Sequence, residues 1–325
     1  MFQPHELRKT LSIKVHGGLS TSTLVWQTLK ASFEGNLQQL KTLTGENPAL
    51  ATCQFDYTSP LLLSVREGHL ELVQELVNQG ALDPTACNHP FLDPIITIAE
   101  DREFYDVAQL LKDAMAMGVT KEWGDTGGVY FERTAEELAF EKAVHSDDLI
   151  SVRGMLADDP ALVHDEASSW GEGVLSVPAN HGNRDMLELL MSCGARVPQM
   201  SKWPRAYYFK HENIAAFLLE NGMNPNHMNW RYVTLLHDMA QEGQINKLKL
   251  LLDYGANIDA IDEEYRSTPL GLAARWGHLE TVRLLLDRGA DPHKAGASWA
   301  IPLTWAKKKG HSEIEALLRT YGKNQ

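Results

Sequence analysis

Cysteine is scarce: the 325-residue chain has three, Cys53, Cys87 and Cys193, spaced 34 and 106 positions apart. An odd, scattered set forms neither a disulfide framework nor paired CxxC zinc ligands, and free thiols in a reducing compartment are expected. No run approaches the roughly 18 consecutive apolar residues that a membrane helix requires, and Met1 to Thr10 has no apolar stretch of the signal-peptide kind. The expectation is a cytoplasmic chain with no membrane partner. Basic residues are outnumbered, 30 against 43 acidic, for a formal net charge of −13. A phosphate backbone would be repelled overall, so nucleic acid is not an expected partner.

Catalytic signatures are missing as well. There is no HExxH, no GxxxxGK[ST], no GxSxG and no GxGxxG ahead of a helix, and the glycine cluster Gly124 to Gly128 lacks a following Lys-Ser/Thr. No cofactor and no metal are expected. The chain does hold 43% hydrophobic and 22% charged residues, enough apolar surface for an ordered core. Length alone would suggest about two domains.

A repeat replaces that estimate. Gly35, Gly68, Arg102, Ser146, Gly182, Lys210, Gly243, Gly277 and Gly310 follow one another at steps of 33, 34, 44, 36, 28, 33, 34 and 33 residues. Ahead of these markers stand Ser59-Pro60-Leu61, Asp93-Pro94-Ile95, Thr234-Leu235-Leu236-His237, Thr268-Pro269-Leu270 and Ile301-Pro302-Leu303. In the clearest unit, Thr268 caps a helix with Pro269 at its first position, and Leu270, Ala273 and Ala274 recur at helical spacing. Gly277 ends that helix; Val282, Leu285 and Leu286 face inward on a second one, which Gly289 stops. Leucine pairs precede Gly194, Gly222, Gly255 and Gly322 in the same way, and Leu76-Val77 precedes Gly80.

The unit Ser267 to Asp291 resembles an ankyrin repeat, and the resemblance runs from about Leu24 to Tyr321. It implies an all-α solenoid of about nine helix-turn-helix units, degenerate in the centre, spanning 23–325 after an N-terminal arm or cap at 1–22. Two departures stand out. About ten extra residues lie between the third and fourth markers, an insertion at about 119–134 that could form a lid over the central groove. The 28-residue step from Gly182 to Lys210, with Pro198 and Pro204, leaves room for only a clipped first helix. The resemblance also makes His69, His237, His278 and His311 structural, bonded to turn backbone, and it implies a non-catalytic protein-binding module or scaffold, expected as a monomer.

Function should then sit at positions that the repeat does not prescribe. One row lies just before the markers and looks into the concave groove: it runs from Glu34, Glu67 and Asp101 through His145, His181 and Phe209 to Glu242, Trp276 and Lys309, with Tyr208, Arg275 and Lys308 one position earlier. Acidic at its start and basic at its end, this row would orient an elongated polar partner. A second row of aromatics lies in the turns before the first helices: Trp170, then Trp230, Arg231 and Tyr232, then Tyr265 and Arg266, then Trp299. Trp, Tyr and Arg are enriched in binding hot spots, and the competing reading folds each ring onto its neighbouring repeat. A second function class, an enzyme or small-ligand protein, would use His145, His181, Tyr208 and Glu242 as acid, base or ligand groups.

Overall fold

A computed structural model describes residues 1–15, 18–89, 91–118 and 129–321. Residues 119–128, the greater part of the insertion, lie outside the described residues, and the lid reading lies there with them. The contacts group into two units, Gln3–Phe131 and Met1–Phe2 with Glu132–Gln325.

The unit Gln3–Phe131 begins with a short helix, His5–Arg8, and a small antiparallel sheet in the order β2-β1-β3: β1 Ser12–Val15, β2 Gly18–Thr21 and β3 Val129–Tyr130. Ile13 pairs with Ser20 on one side and Val129 on the other. These strands add to the all-helical expectation for the start of the chain. The alternation Ser12-Ile13-Lys14-Val15 buries Ile13 and Val15, which is what a half-covered strand demands. Three helix pairs follow: α1 Ser22–Glu34 with α2 Leu37–Glu46, α3 Pro60–Glu67 with α4 Leu70–Asn78, and α5 Ile95–Asp101 with α6 Tyr105–Ala116. Their core joins Leu62, Val65, Val73, Leu76, Ile98, Val107 and Leu111.

The second unit holds six pairs: α7 Ala135–His145 with α8 Leu149–Asp158, α9 Ser176–His181 with α10 Arg184–Ser192, and α11 Pro204–Tyr208 with α12 Glu212–Glu220. Then come α13 Leu235–Glu242 with α14 Ile245–Asp253, α15 Pro269–Trp276 with α16 Leu279–Asp287, and α17 Pro302–Lys309 with α18 Ser312–Tyr321. The first helix α11 has five residues, clipped where the two prolines predict. Met186 and Met239 are buried beside Leu187, Leu190, Leu236, Leu248 and Leu285, as core residues.

Helix ends follow the local chemistry. Ser59, Thr234 and Thr268 accept a hydrogen bond from the third backbone N–H of their helices, whereas at α5 the N-cap is Pro94, one residue later than the sequence places it. Asp93 instead gives its N–H to the Asn88 side chain, 2.8 Å away, because the turn before it holds one residue more than its counterpart at 229–233. That leaves α5 seven residues long.

The glycine markers have two causes. Gly243 and Gly277 close their helices at φ 66° and 82°, and the histidine ring of the next repeat occupies the space where a Cβ would stand at each. His278 Nε2 reaches the Gln241 carbonyl at 2.8 Å and His311 Nε2 the Arg275 carbonyl at 3.0 Å, with His69 and His211 doing the same at Phe33 and Asn180. Each histidine therefore satisfies a carbonyl that a helix end leaves open. A Cβ at Gly277 would stand 2.6 Å from His311 Cε1. Gly277→Ala is expected to cost about 2 kcal/mol, from left-handed strain plus displacement of that ring. Urea melts of Gly277→Ala, His311→Ala and the double variant check this: the two losses should be non-additive, because both break one contact.

Candidate functional site

The turns between repeats are held by their own side chains. Asn229 Oδ1 accepts from Arg231 N at 2.9 Å and Val233 N at 3.2 Å, and Asp262 accepts from Tyr265 N at 2.5 Å and Ser267 N at 3.1 Å. These Asx-type turns preset the finger tips. At each tip, two residues before the cap, a bulky residue is forced to positive φ: Tyr57 at 57°, Tyr232 at 60° and Arg266 at 49°. Leu92, two residues before Pro94, is at 61°, and Trp170 is at 63° in a different setting, a short helical turn Ser168–Gly171 in which Ser169 is also at positive φ. A left-handed non-glycine residue costs roughly 1–2 kcal/mol, so at each tip a side chain stands where glycine would be cheaper. Tyr57 and Leu92 are 57% and 60% exposed and were not anticipated. Counting back from the Ser59 cap, as for Tyr232 and Thr234, would have found Tyr57.

The structure divides the expected contact residues. Trp170 is 84% exposed, Lys308 is exposed, and Tyr232, Glu242, Arg266, Trp276, Trp299 and Lys309 are half-buried. Tyr208, Phe209, Trp230, Arg231, Tyr265 and Arg275 are buried, which corrects their assignment to a contact surface. Phe209 joins the core of Ile214 and Leu218. Tyr208 donates its hydroxyl hydrogen to the Glu172 carbonyl at 3.0 Å. Arg231 stacks on Trp230 and pairs with Glu264 at 3.3 Å, both side chains almost wholly covered. Rings and stems of this size gain more by packing on the adjacent repeat than by remaining in water.

Arg275 is enclosed by aromatic faces. Its guanidinium carbon lies 4.1 Å from the Trp276 ring centroid, 4.7 Å from Tyr265 and 5.1 Å from Trp305. Trp299 meets Trp305 edge-on at 5.8 Å, and the indole N–H of Trp305 donates to Ser267 Oγ at 3.2 Å. The cluster makes a rigid wall of which Trp276 and Trp299 show an edge.

The central histidines do not converge with Tyr208 and Glu242. His145 Nε2 lies 3.1 Å from Ser169 Oγ and 3.6 Å from Glu141, while His181 Nδ1 lies 3.5 Å from Asp147. Burial lowers the His145 pKa, with the Glu141 charge opposing and those of His181 and Arg133 assisting. Arg133 holds the same region by pairing with Glu141 and Asp165. Tyr208 is sealed in the core and Glu242 is paired with Arg205 from α11. Among the described residues no three His, Cys, Asp or Glu side chains are grouped to hold a metal ion, and no helix is long and apolar enough to cross a membrane.

On the same helix as Glu242, Asp238 one turn earlier and the adjacent Gln241 each bury an oxygen. Asp238 is 4% exposed, and its Oδ1, like Oε1 of Gln241, is buried without a hydrogen-bond partner among the described residues. Burial pushes the Asp238 carboxyl up to about 7, against the pull of Arg205 and Arg231 and with the push of Glu242 and Asp262.

Known proteins share this pattern. A family model described as ankyrin repeats in three copies matches residues 204–295, and a single ankyrin-repeat model matches residues 56–89. The palmitoyltransferase Hip14 of Drosophila melanogaster is 41% identical over 75 residues, 23% of this chain and 12% of that protein. The ankyrin repeat protein nuc-2 of Neurospora crassa is 28% identical over 166 residues, 51% of this chain and 13% of its own length. A putative ankyrin repeat protein of fowlpox virus is 30% identical over 159 residues, 47% of this chain and 35% of its own. The chain thus spans between 12% and 35% of the length of these relatives. A crystal structure of an ankyrin repeat domain from Acinetobacter baumannii aligns with a TM-score of 0.49 at 25% identity, covering 57% of this chain and 98% of that one.

Proposed function

From the premise that this chain is an ankyrin-repeat protein, and so carries a protein–protein interaction module, we propose that it acts as a non-catalytic scaffold. In this reading it holds a protein partner on the finger tips and inner-helix groove of residues 132–325, using Trp170, Tyr232, Glu242, Arg266, Trp276, Trp299, Lys308 and Lys309. The observation that carries it is Trp170, a large aromatic 84% exposed and kept at positive φ between Ser169 and Gly171. An indole placed in water at a strained position is favourable when a partner covers it. Rigid tips limit the entropy lost on binding. A cytoplasmic monomer without nucleic-acid or membrane partners belongs to the same reading. The transferase activity in one relative's name is not carried over, since the match covers 12% of that protein.

The test immobilises the full chain and a Trp170→Ala/Trp276→Ala variant of equal helical circular dichroism, passes lysate from the source cells over each, and identifies retained proteins by mass spectrometry. A protein held by the parent and lost from the variant is the expected result; identical retention overturns this surface. Tyr232→Gly sharpens it: the change relieves left-handed strain, so the melt should rise by about 1 kcal/mol while partner affinity falls at least tenfold. A destabilised Tyr232→Gly protein would show that this ring serves the fold.

A further inference from the structure

Going beyond the contact surface of residues 132–325, we propose that the unit Gln3–Phe131 carries a second docking site, a groove between α4 and α6 that takes a basic amphipathic helix of a protein partner. The groove has a volume of about 540 Å³ and lies within that unit alone. Its apolar lining comes from Leu70 and Val77 of α4, from Leu110 and Ala114 of α6, and from Met117 just after α6. Val77 and Ala114 are buried and Leu110 is half-buried, while Leu70 and Met117 are 36% and 74% exposed.

The repeat does not prescribe this groove. Helix α6 has 12 residues, whereas its counterparts α4, α10, α12, α14 and α16 have 9 each. The extra turn, Ala114 to Ala116 with Met117 after it, lengthens the apolar lining at one end. A methionine held in water there is suited to fit an irregular apolar partner.

The polar rim carries charge of one sign. Asp106, Gln109 and Asp113 recur along one face of α6, and Gln74 and Asn78 along one face of α4, all of them exposed. Among the described residues that line the groove there is no Lys, Arg or His. A segment with lysines or arginines flanking an apolar face complements both features. A second copy of this chain, with net charge −13, would bring further carboxylates to the two already there. Both walls are helices, so they offer no strand edge to an extended segment, whereas a helix arrives with its backbone already satisfied.

The experiment follows the full chain labelled with 13C at the methionine methyls, with Met117→Leu identifying the Met117 signal. The probe is a helical peptide, two copies of Leu-Lys-Lys-Leu-Leu-Lys-Leu, about 14 residues in all, against its analogue with glutamate for each lysine. The expected result is saturable binding with a shift of the Met117 signal for the lysine peptide, and neither for the glutamate one. Asp106→Asn/Asp113→Asn should weaken that binding about fivefold, the size expected of two exposed ion pairs, and Leu110→Gln about tenfold. Asp158→Asn/Glu220→Gln, which removes two exposed carboxylates from residues 132–325, should leave it unchanged. An unmoved Met117 signal, or equal weakening by the two charge-removing pairs, overturns the site. A concentration-dependent mass of the parent that Leu110→Gln abolishes would seat a second copy in the groove and overturn it as well. Trp170→Ala/Trp276→Ala should bind the peptide as the parent does, so this site and the contact surface stand or fail separately.

Discussion

Asp238→Asn is expected to stabilise the fold at pH 8 by up to about 4 kcal/mol and to change it little at pH 4. The folded-state carboxyl is raised to about 7 from 3.8, with burial the main cause. A carboxyl that titrates higher in the folded chain contributes stability fully present below its unfolded value and lost as pH rises through its folded one. Here the loss runs from about pH 4 to about pH 7, and each unit of difference is worth about 1.4 kcal/mol. Asparagine keeps the shape without the charge, so the parent-to-variant difference should open over that window and plateau above it. Urea melts of both proteins at pH 4, 6 and 8 measure it. Equal stability at all three would mean that the carboxylate is fully compensated when ionised.

Trp230→Ala is expected to cost about 3–5 kcal/mol, the range for removing a large aromatic from a core. The side chain is fully buried, with the Arg231 guanidinium stacked on its face at 5.5 Å. Thermal melts give the size of the loss. Retention of partner at a temperature where the variant is still folded separates this residue from Trp276: the buried indole should affect melting and leave binding intact, whereas loss of the half-exposed one should weaken binding even where the fold is retained. Binding lost at full helicity would return Trp230 to the contact surface.

The repeat was legible because its signals are local. A hydroxyl capping its own third residue, a proline at the first helical position and a glycine at positive φ all act within about four residues, so Thr268, Pro269 and Gly277 announced α15 before any fold was known. His69, His278 and His311, each just after a glycine marker, were legible as structural too, although their acceptors lie 36 or 37 residues earlier, in the preceding repeat; His211, which makes the same contact at 31 residues, was not. The contact surface was half legible. Trp170 and Trp230 occupy similar turns in the sequence, yet one is mostly in solvent and the other sealed, since the outcome depends on the repeat that packs beside it.

The period, about nine repeat units and most helix ends could be read from the chain alone, because backbone satisfaction and helical periodicity are settled within a turn or two. Tertiary structure alone decided which side chains face water and which charges find partners. The Trp305 ring on Arg275 and the Arg205 partner of Glu242 each come from another repeat, 30 and 37 positions away. Burial and Coulomb energy depend on distance in space, and adjacent residues on one helix can meet entirely different neighbours across the groove.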